Sequence, residues 1–260
     1  MGFKVVIPAR FASTRLPGKP LLDIGGLTLI QRVALQACAS AAEEVLVATD
    51  DARIANSVEA LPGPRRVPVV LTAPERPTGT DRVAAVAALR GWPDDTIVVN
   101  VQGDEPFLPP ALIDEVAALL AADRLAQIGT LAVPVHSLEE FLDPNAVKLV
   151  RRADGSALYF SRAPIPWARD GAPDGQLGGQ TQFPGALRHL GIYAYRVGAL
   201  ARIIHLPPSP LEQTERLEQL RALEHGMRIV VGLATAAPGP GVDTPTDLER
   251  ARRLVGAQGS

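Results

Sequence analysis

Along the first half of the chain, short apolar runs alternate with stretches that place an apolar residue every three or four positions. Residues 3–8 (FKVVIP) form a β-branched run that predicts a buried strand, and 27–40 (LTLIQRVALQACAS) has helical spacing. The alternation continues with strands over 43–50, 66–72, 96–104 and 128–135, and helices over 51–61, 79–91 and 110–123. In the last of these helices Leu112, Ile113, Val116, Leu119 and Leu120 share one face. Strands that are apolar on both sides, each followed by a helix, predict an α/β fold with a mostly parallel sheet and helices on both faces.

The rhythm breaks after about Val135. Residues 146–161 (AVKLVRRADGSALYFS) predict a hairpin around Asp154–Gly155. Residues 162–185 are dense in Pro and Gly and predict a long loop, and 187–196 (LRHLGIYAYR) returns to strand. A charged amphipathic helix follows over 209–226, with Ser209 as N-cap and Gly226 as its stop. A strand over 228–234 and a helix over 244–255, capped at Thr244, close the chain. The expected organisation is one large domain over 1–260, carrying a smaller β-rich insert over about 136–200.

Composition adds little to this outline. A chain of 260 residues, 47% hydrophobic and 21% charged, reads as an ordinary globule. Its formal net charge of -2 gives no reason to expect nucleic acid or a membrane surface as partner. The single cysteine, Cys38, cannot form an internal disulfide and reads as a small buried apolar residue. No apolar run approaches a membrane span, and 3–8 is too short for a signal-peptide core, so the expected location is cytoplasmic.

Local charge is more informative. Arg10, Arg15 and Lys19 follow the first strand within eleven residues, among the small residues Ala12, Ser13 and Gly18. In an open parallel sheet, ligands sit beyond the carboxyl ends of the strands, where the loop 9–19 emerges. Arg offers a planar fork to phosphate oxygens, Lys a compact charge, and small residues let backbone N–H groups approach an anion. The loop therefore reads as a triphosphate cradle, although a solvated basic loop has the same composition. It is not a Walker A motif: Pro20 follows Gly18–Lys19, and no Ser/Thr does. A dinucleotide fingerprint is also absent.

Two acidic stretches could share that crevice. Residues 100–106 (NVQGDEP) end a central strand and present Asp104 and Glu105 beside Gly103; such carboxylates, next to phosphates, suit Mg²⁺. Asp243, in 241–245 (GVDTP), is either a second metal ligand or, with Thr244, a helix cap, and spacing does not decide between them. The four histidines show no metal-ligand spacing, and G-x-S-x-G is absent.

The segments IPARFASTRLPGKPL, VATDD, TGTDR, VNVQGDEP, NAVKLV, ALYFSRAPIPW, RHLGIYAYR, SPLEQTERLEQLR and GVDTPTDLE together, in this order from Val5 to about Arg253, resemble the 3-deoxy-manno-octulosonate (Kdo) cytidylyltransferases, or CMP-Kdo synthetases. The resemblance implies a nucleotidyltransferase-type α/β fold, usually a homodimer. It implies the Mg²⁺-dependent reaction of CTP with Kdo to give CMP-Kdo and diphosphate, which activates Kdo for the lipopolysaccharide inner core. Ala9, Arg10, Ser13, Arg15 and Lys19 match the triphosphate loop, Gln102 a nucleotide contact, and Thr78 and Gly79 the cytosine-side loop. Asp104 and Asp243 match the metal carboxylates, and Arg162, His189, Tyr193, Glu218 and Gln219 the sugar site, with Arg162 the expected partner of the sugar carboxylate. Arg10, Arg15, Lys19, Asp104 and Asp243 form the expected catalytic set. Thr78 and Asp81 stand where the family more often has Ser and Glu. Residues 163–188 are expected to close over the sugar. A transferase for another sugar acid, or a nucleotide-binding regulator without turnover, are the competing readings.

Overall fold

Inside the sheet lies β1 (Phe3–Ala9), paired in parallel with β4 (Glu44–Thr49) on one side and with the central strand, β6 (Ile97–Asn100), on the other. This computed structural model describes residues 2–12, 16–62, 66–76, 78–172 and 175–258; Ser13 and Arg15 of the basic loop lie outside them. Beyond β4 comes β5 (Val69–Leu71), and beyond β6 come β10 (Leu187–Arg196), β7 (Ile128–Pro134) and β11 (Ile229–Leu233). Along this path, among the described residues, β10 alone runs against the others. β8 (Lys148–Arg151) and β9 (Ala157–Ser161) branch from β10 as the expected hairpin, with Gly155 at φ +80° in its turn. A two-residue ribbon, β2 (Asp23–Ile24) and β3 (Leu27–Thr28), stands apart.

Alternate strand residues feed two cores, as the all-apolar runs require. Val5, Ile7, Val47 and Val99 face one side, with α1 (Leu29–Cys38), α4 (Pro110–Ala122) and α9 (Pro245–Gln258). Val6, Leu46 and Val98 face the other, with α3 (Gly79–Arg90), α6 (Val197–Ile203) and α8 (Gln219–Glu224). Each fully buried aliphatic side chain contributes about 1.5–3 kcal/mol. The helices begin on local caps: Thr28 with Gln31 for α1, Asp51 for α2 (Ala52–Glu59), Thr78 with Asp81 for α3, and Ser137 for α5 (Leu138–Leu142). Cys38 is partly buried against the first core.

The structure differs from the sequence reading in two places. Of the segment about 136–200, the hairpin stands off the main sheet, but β10 threads between β6 and β7. A strand with covered faces reads the same at the centre of a sheet as at its margin. The helix expected over 209–226 is two short helices, α7 (Pro210–Glu215) and α8, separated at Arg216, whose φ is +55°. Ser209 caps α7 through a box with Glu212, and Gly226, at φ +73°, ends α8, as expected. The break falls at a left-handed residue that is not glycine, an arrangement that costs energy and that sequence periodicity does not register.

Candidate active site

β6 ends opposite Val6, and the chain after it runs on beside the last residues of β1. Val6 pairs with Asn100, and the N–H of Val101 donates to the carbonyl of Val6 at 3.1 Å. The residues that follow, Arg10 on one strand and Gln102–Asp104 on the other, therefore leave the sheet at the same edge. Gly103 permits this: a Cβ there would lie 2.8 Å from the Pro8 carbonyl oxygen. The N–H of Val242 then donates to the carbonyl of Asp104 at 2.9 Å, which draws the 241–243 segment to the same place. Thr244 caps α9, its Oγ1 accepting from the N–H of Asp247, so the Asp243 carboxylate is released from capping.

Both aspartates meet Lys19. Its Nζ lies 2.8 Å from Asp104 Oδ2 and 3.0 Å from Asp243 Oδ1. Burial lowers the pKa of the Lys19 ammonium, but the two carboxylates outweigh it and hold the value above that of an ordinary lysine. Around them opens a cavity of about 370 Å³ lined also by Ala9, Arg10, Gly79 and Gln102. The Arg10 guanidinium donates from Nη2 to the carbonyl of Arg76 at 2.6 Å, tying the basic loop to the turn before α3. The Thr78 hydroxyl is engaged in the cap with Asp81, whereas Gly79 faces the cavity.

Gln102 also lines a second cavity, of about 190 Å³, with Asn100, Tyr193, Glu218 and Gln219. The break at Arg216 puts Glu218 at the N-cap of α8 and Gln219 at its first position, where both reach this space. Burial raises the pKa of Glu218, and the nearby Thr80 hydroxyl only partly offsets it. Burial also raises Tyr193 and Tyr195, so both phenols are neutral donors at ordinary pH.

His189 and Arg162 lie outside the lining of both cavities. The His189 ring packs against Tyr193, with centroids 5.1 Å apart, and its Nε2 lies 2.9 Å from Thr130 Oγ1. Because Thr130 gives its hydroxyl proton to the Ile192 carbonyl, His189 must donate from Nε2. Burial, with Arg188 nearby, lowers its pKa and keeps the ring neutral. Arg162 donates from Nε to the carbonyl of Glu215 at 2.7 Å and from Nη1 to that of Pro144 at 2.8 Å. It braces the turn that carries Glu218.

Glu105, absent from the expected site set, is the third acid here. Burial, then the charges of Asp104 and Asp243, push its pKa up to about 8. Its proximity to Asp243 is a tertiary fact. The folded protein keeps a proton that the unfolded chain releases near pH 4.5, so this contribution to stability is complete below pH 4.5 and is lost as pH rises through about 8. In metal-free buffer, Glu105→Gln should flatten that part of the stability–pH curve. At pH 9 it should be more stable than the parent, while at pH 5 the two should differ little, read by denaturant titration at pH 5, 7 and 9.

A basic loop and two carboxylates at the carboxyl edge of a mostly parallel sheet, beside a polar cavity, form the arrangement of a nucleotidyl-transferring enzyme. The cytidylyltransferase family matches residues 4–229. A 3-deoxy-manno-octulosonate cytidylyltransferase of Methylococcus capsulatus is 52% identical over 253 residues, covering 96% of each chain. One from Acidovorax sp. (strain JS42) is 54% identical over 260 residues, covering 98% of this chain and 97% of its own. A solved CMP:2-keto-3-deoxy-manno-octonic acid synthetase complexed with CTP superposes with a TM-score of 0.87 at 39% identity, covering 99% of this chain and 100% of that one. A cytidylyltransferase from Leptospira borgpetersenii shares the fold, with a TM-score of 0.62 at 17% identity over 99% of this chain and 87% of its own. The chain belongs to the cytidylyltransferase family, among the 3-deoxy-manno-octulosonate cytidylyltransferases.

Proposed function

We propose that this chain transfers the cytidylyl group of CTP to Kdo, giving CMP-Kdo and diphosphate, in the cytoplasm and as a homodimer, for lipopolysaccharide inner-core synthesis. The observation that carries this reading is the meeting of Lys19, Asp104 and Asp243 in one cavity that shares Gln102 with a second, polar one. The triphosphate would occupy the first cavity and the sugar acid the second. Its anomeric hydroxyl oxygen would form a bond to the α-phosphorus as the α–β anhydride bond breaks. That hydroxyl gives up its proton to solvent, and diphosphate leaves with the bonding pair of the broken anhydride bond.

Transfer of this kind depends mainly on positioning and charge stabilisation. Lys19 and Arg10 would neutralise charge growing on the departing diphosphate. Gln102, on the wall common to both cavities, would align the two substrates. Glu218, Gln219 and Tyr193 would orient the sugar, with Arg162 bracing their turn and His189 supporting the Tyr193 ring.

The donor set fits Mg²⁺. Asp104 and Asp243 already enclose one positive charge, the Lys19 ammonium, and Mg²⁺ is commonly held by one or two carboxylates together with phosphate oxygens. Among the described residues no group of three or more His, Cys, Asp or Glu is placed to hold a metal ion by itself. When bound there, the ion would screen phosphate charge and acidify the sugar hydroxyl. Among the described residues no helix is long and apolar enough to cross a membrane.

The test is diphosphate release with CTP, Mg²⁺ and Kdo, repeated with each of the other three nucleoside triphosphates and with a panel of sugar acids. Turnover is expected with CTP and Kdo. Tight CTP binding without release under any sugar acid, or a clear preference for another acid, would overturn the reading.

A further inference from the structure

We propose that Asn100 is a specificity-determining residue whose carboxamide hydrogen-bonds a hydroxyl of the sugar substrate. The inference rests on the functional reading above and extends its sugar site by one residue. Asn100 ends β6, is 2% exposed, and lines the smaller cavity with Tyr193, Glu218 and Gln219. Its Oδ1 is buried without a hydrogen-bond partner.

An unpaired buried carboxamide oxygen is costly, and asparagine is a poor strand former. The neighbouring positions, Val98, Val99 and Val101, are all valine and fully buried. Any apolar residue at position 100 would serve the sheet better. Side chains that violate local rules in this way mark functional positions. The ladder explains where this one points: Asn100 pairs with Tyr193 across β6 and β10, so the two side chains stand on the same face, beneath the cavity.

The chemistry selects the ligand. A carboxamide both donates and accepts, which complements a hydroxyl, and its terminal torsion is soft enough to turn either polar atom to a ligand. Asn100 does not line the cavity that holds Lys19 and Asp104. Its partner is therefore the sugar rather than the triphosphate.

The test uses Asn100→Ala and Asn100→Val, the second being a good strand former in case the first folds poorly. Both should raise KM for Kdo about ten- to hundredfold while KM for CTP stays within about twofold. Asn100→Val should not lower Tm, because it fills much of the same volume and the deleted oxygen has no partner in the free protein. With a series of monodeoxy Kdo analogues, the variants should lose nothing further on the one analogue that lacks the paired hydroxyl. Equal rises in both KM values, a lowered Tm with normal KM values, or additive losses on every deoxy analogue would each overturn the proposal. If the parent enzyme turns over a different sugar acid, the reading of Kdo as substrate fails, and the same KM split measured on that acid still decides the role of Asn100.

Discussion

Asp104→Asn is expected to lower kcat/KM for CTP by about a thousandfold, or about 4 kcal/mol of transition-state stabilisation. The substitution keeps the shape and removes one of the two charges that flank Lys19. A hard cation shared with phosphate would lose half of the negative charge its protein ligands supply. Stability should barely change, by about 1 kcal/mol or less, since the Asp104 side chain is 34% exposed and Lys19 retains Asp243. The two readouts separate a chemical role from a structural one. Diphosphate release measures the first and thermal unfolding the second. Asp104→Asn combined with Asp243→Asn should cost much less than the product of the single losses, because both side chains serve one charge. An activity loss below about tenfold for Asp104→Asn would remove the carboxylates from the mechanism.

Gly103→Ala should harm fold and activity together. Its Cβ would sit 2.8 Å from the Pro8 carbonyl oxygen, and the backbone there is held by the β1–β6 ladder. One of the two strand ends must move, at a cost of about 2–4 kcal/mol. Because Gly103 lies between Gln102 and Asp104, the displacement reaches both cavities, and activity should fall at least about a hundredfold. Gly256→Ala is the control. It lies in α9, where an added Cβ meets nothing within 4 Å, and it should stabilise slightly. Denaturant midpoints and diphosphate release on both variants check this pair. Equal midpoints for Gly103→Ala and the parent would mean that the close approach of the two strands is not constrained.

Much of this protein could be read locally. The two-residue and 3.6-residue periods, the caps at Ser209 and Thr244, the stop at Gly226 and the turn at Asp154–Gly155 depend on residues within a few positions of one another. The parallel sheet followed from them, and so did the edge at which ligands gather. The basic loop and the acids at 104–105 were visible as composition at strand ends.

Convergence was not visible from spacing. Lys19 lies 85 residues from Asp104 and 224 from Asp243, and backbone pairing at Val242 brings the last of them in. Tertiary structure also put β10 inside the main sheet, broke the 209–226 helix at Arg216 so that Glu218 and Gln219 face a cavity, and turned Arg162 onto backbone carbonyls. It left the oxygen of Asn100 without a partner and raised Glu105 to about pH 8. Periodicity and capping are short-range and so are written along the chain. Charge coupling, desolvation and hydrogen-bond satisfaction depend on which distant segments the sheet sets side by side, and they exist only once it has formed.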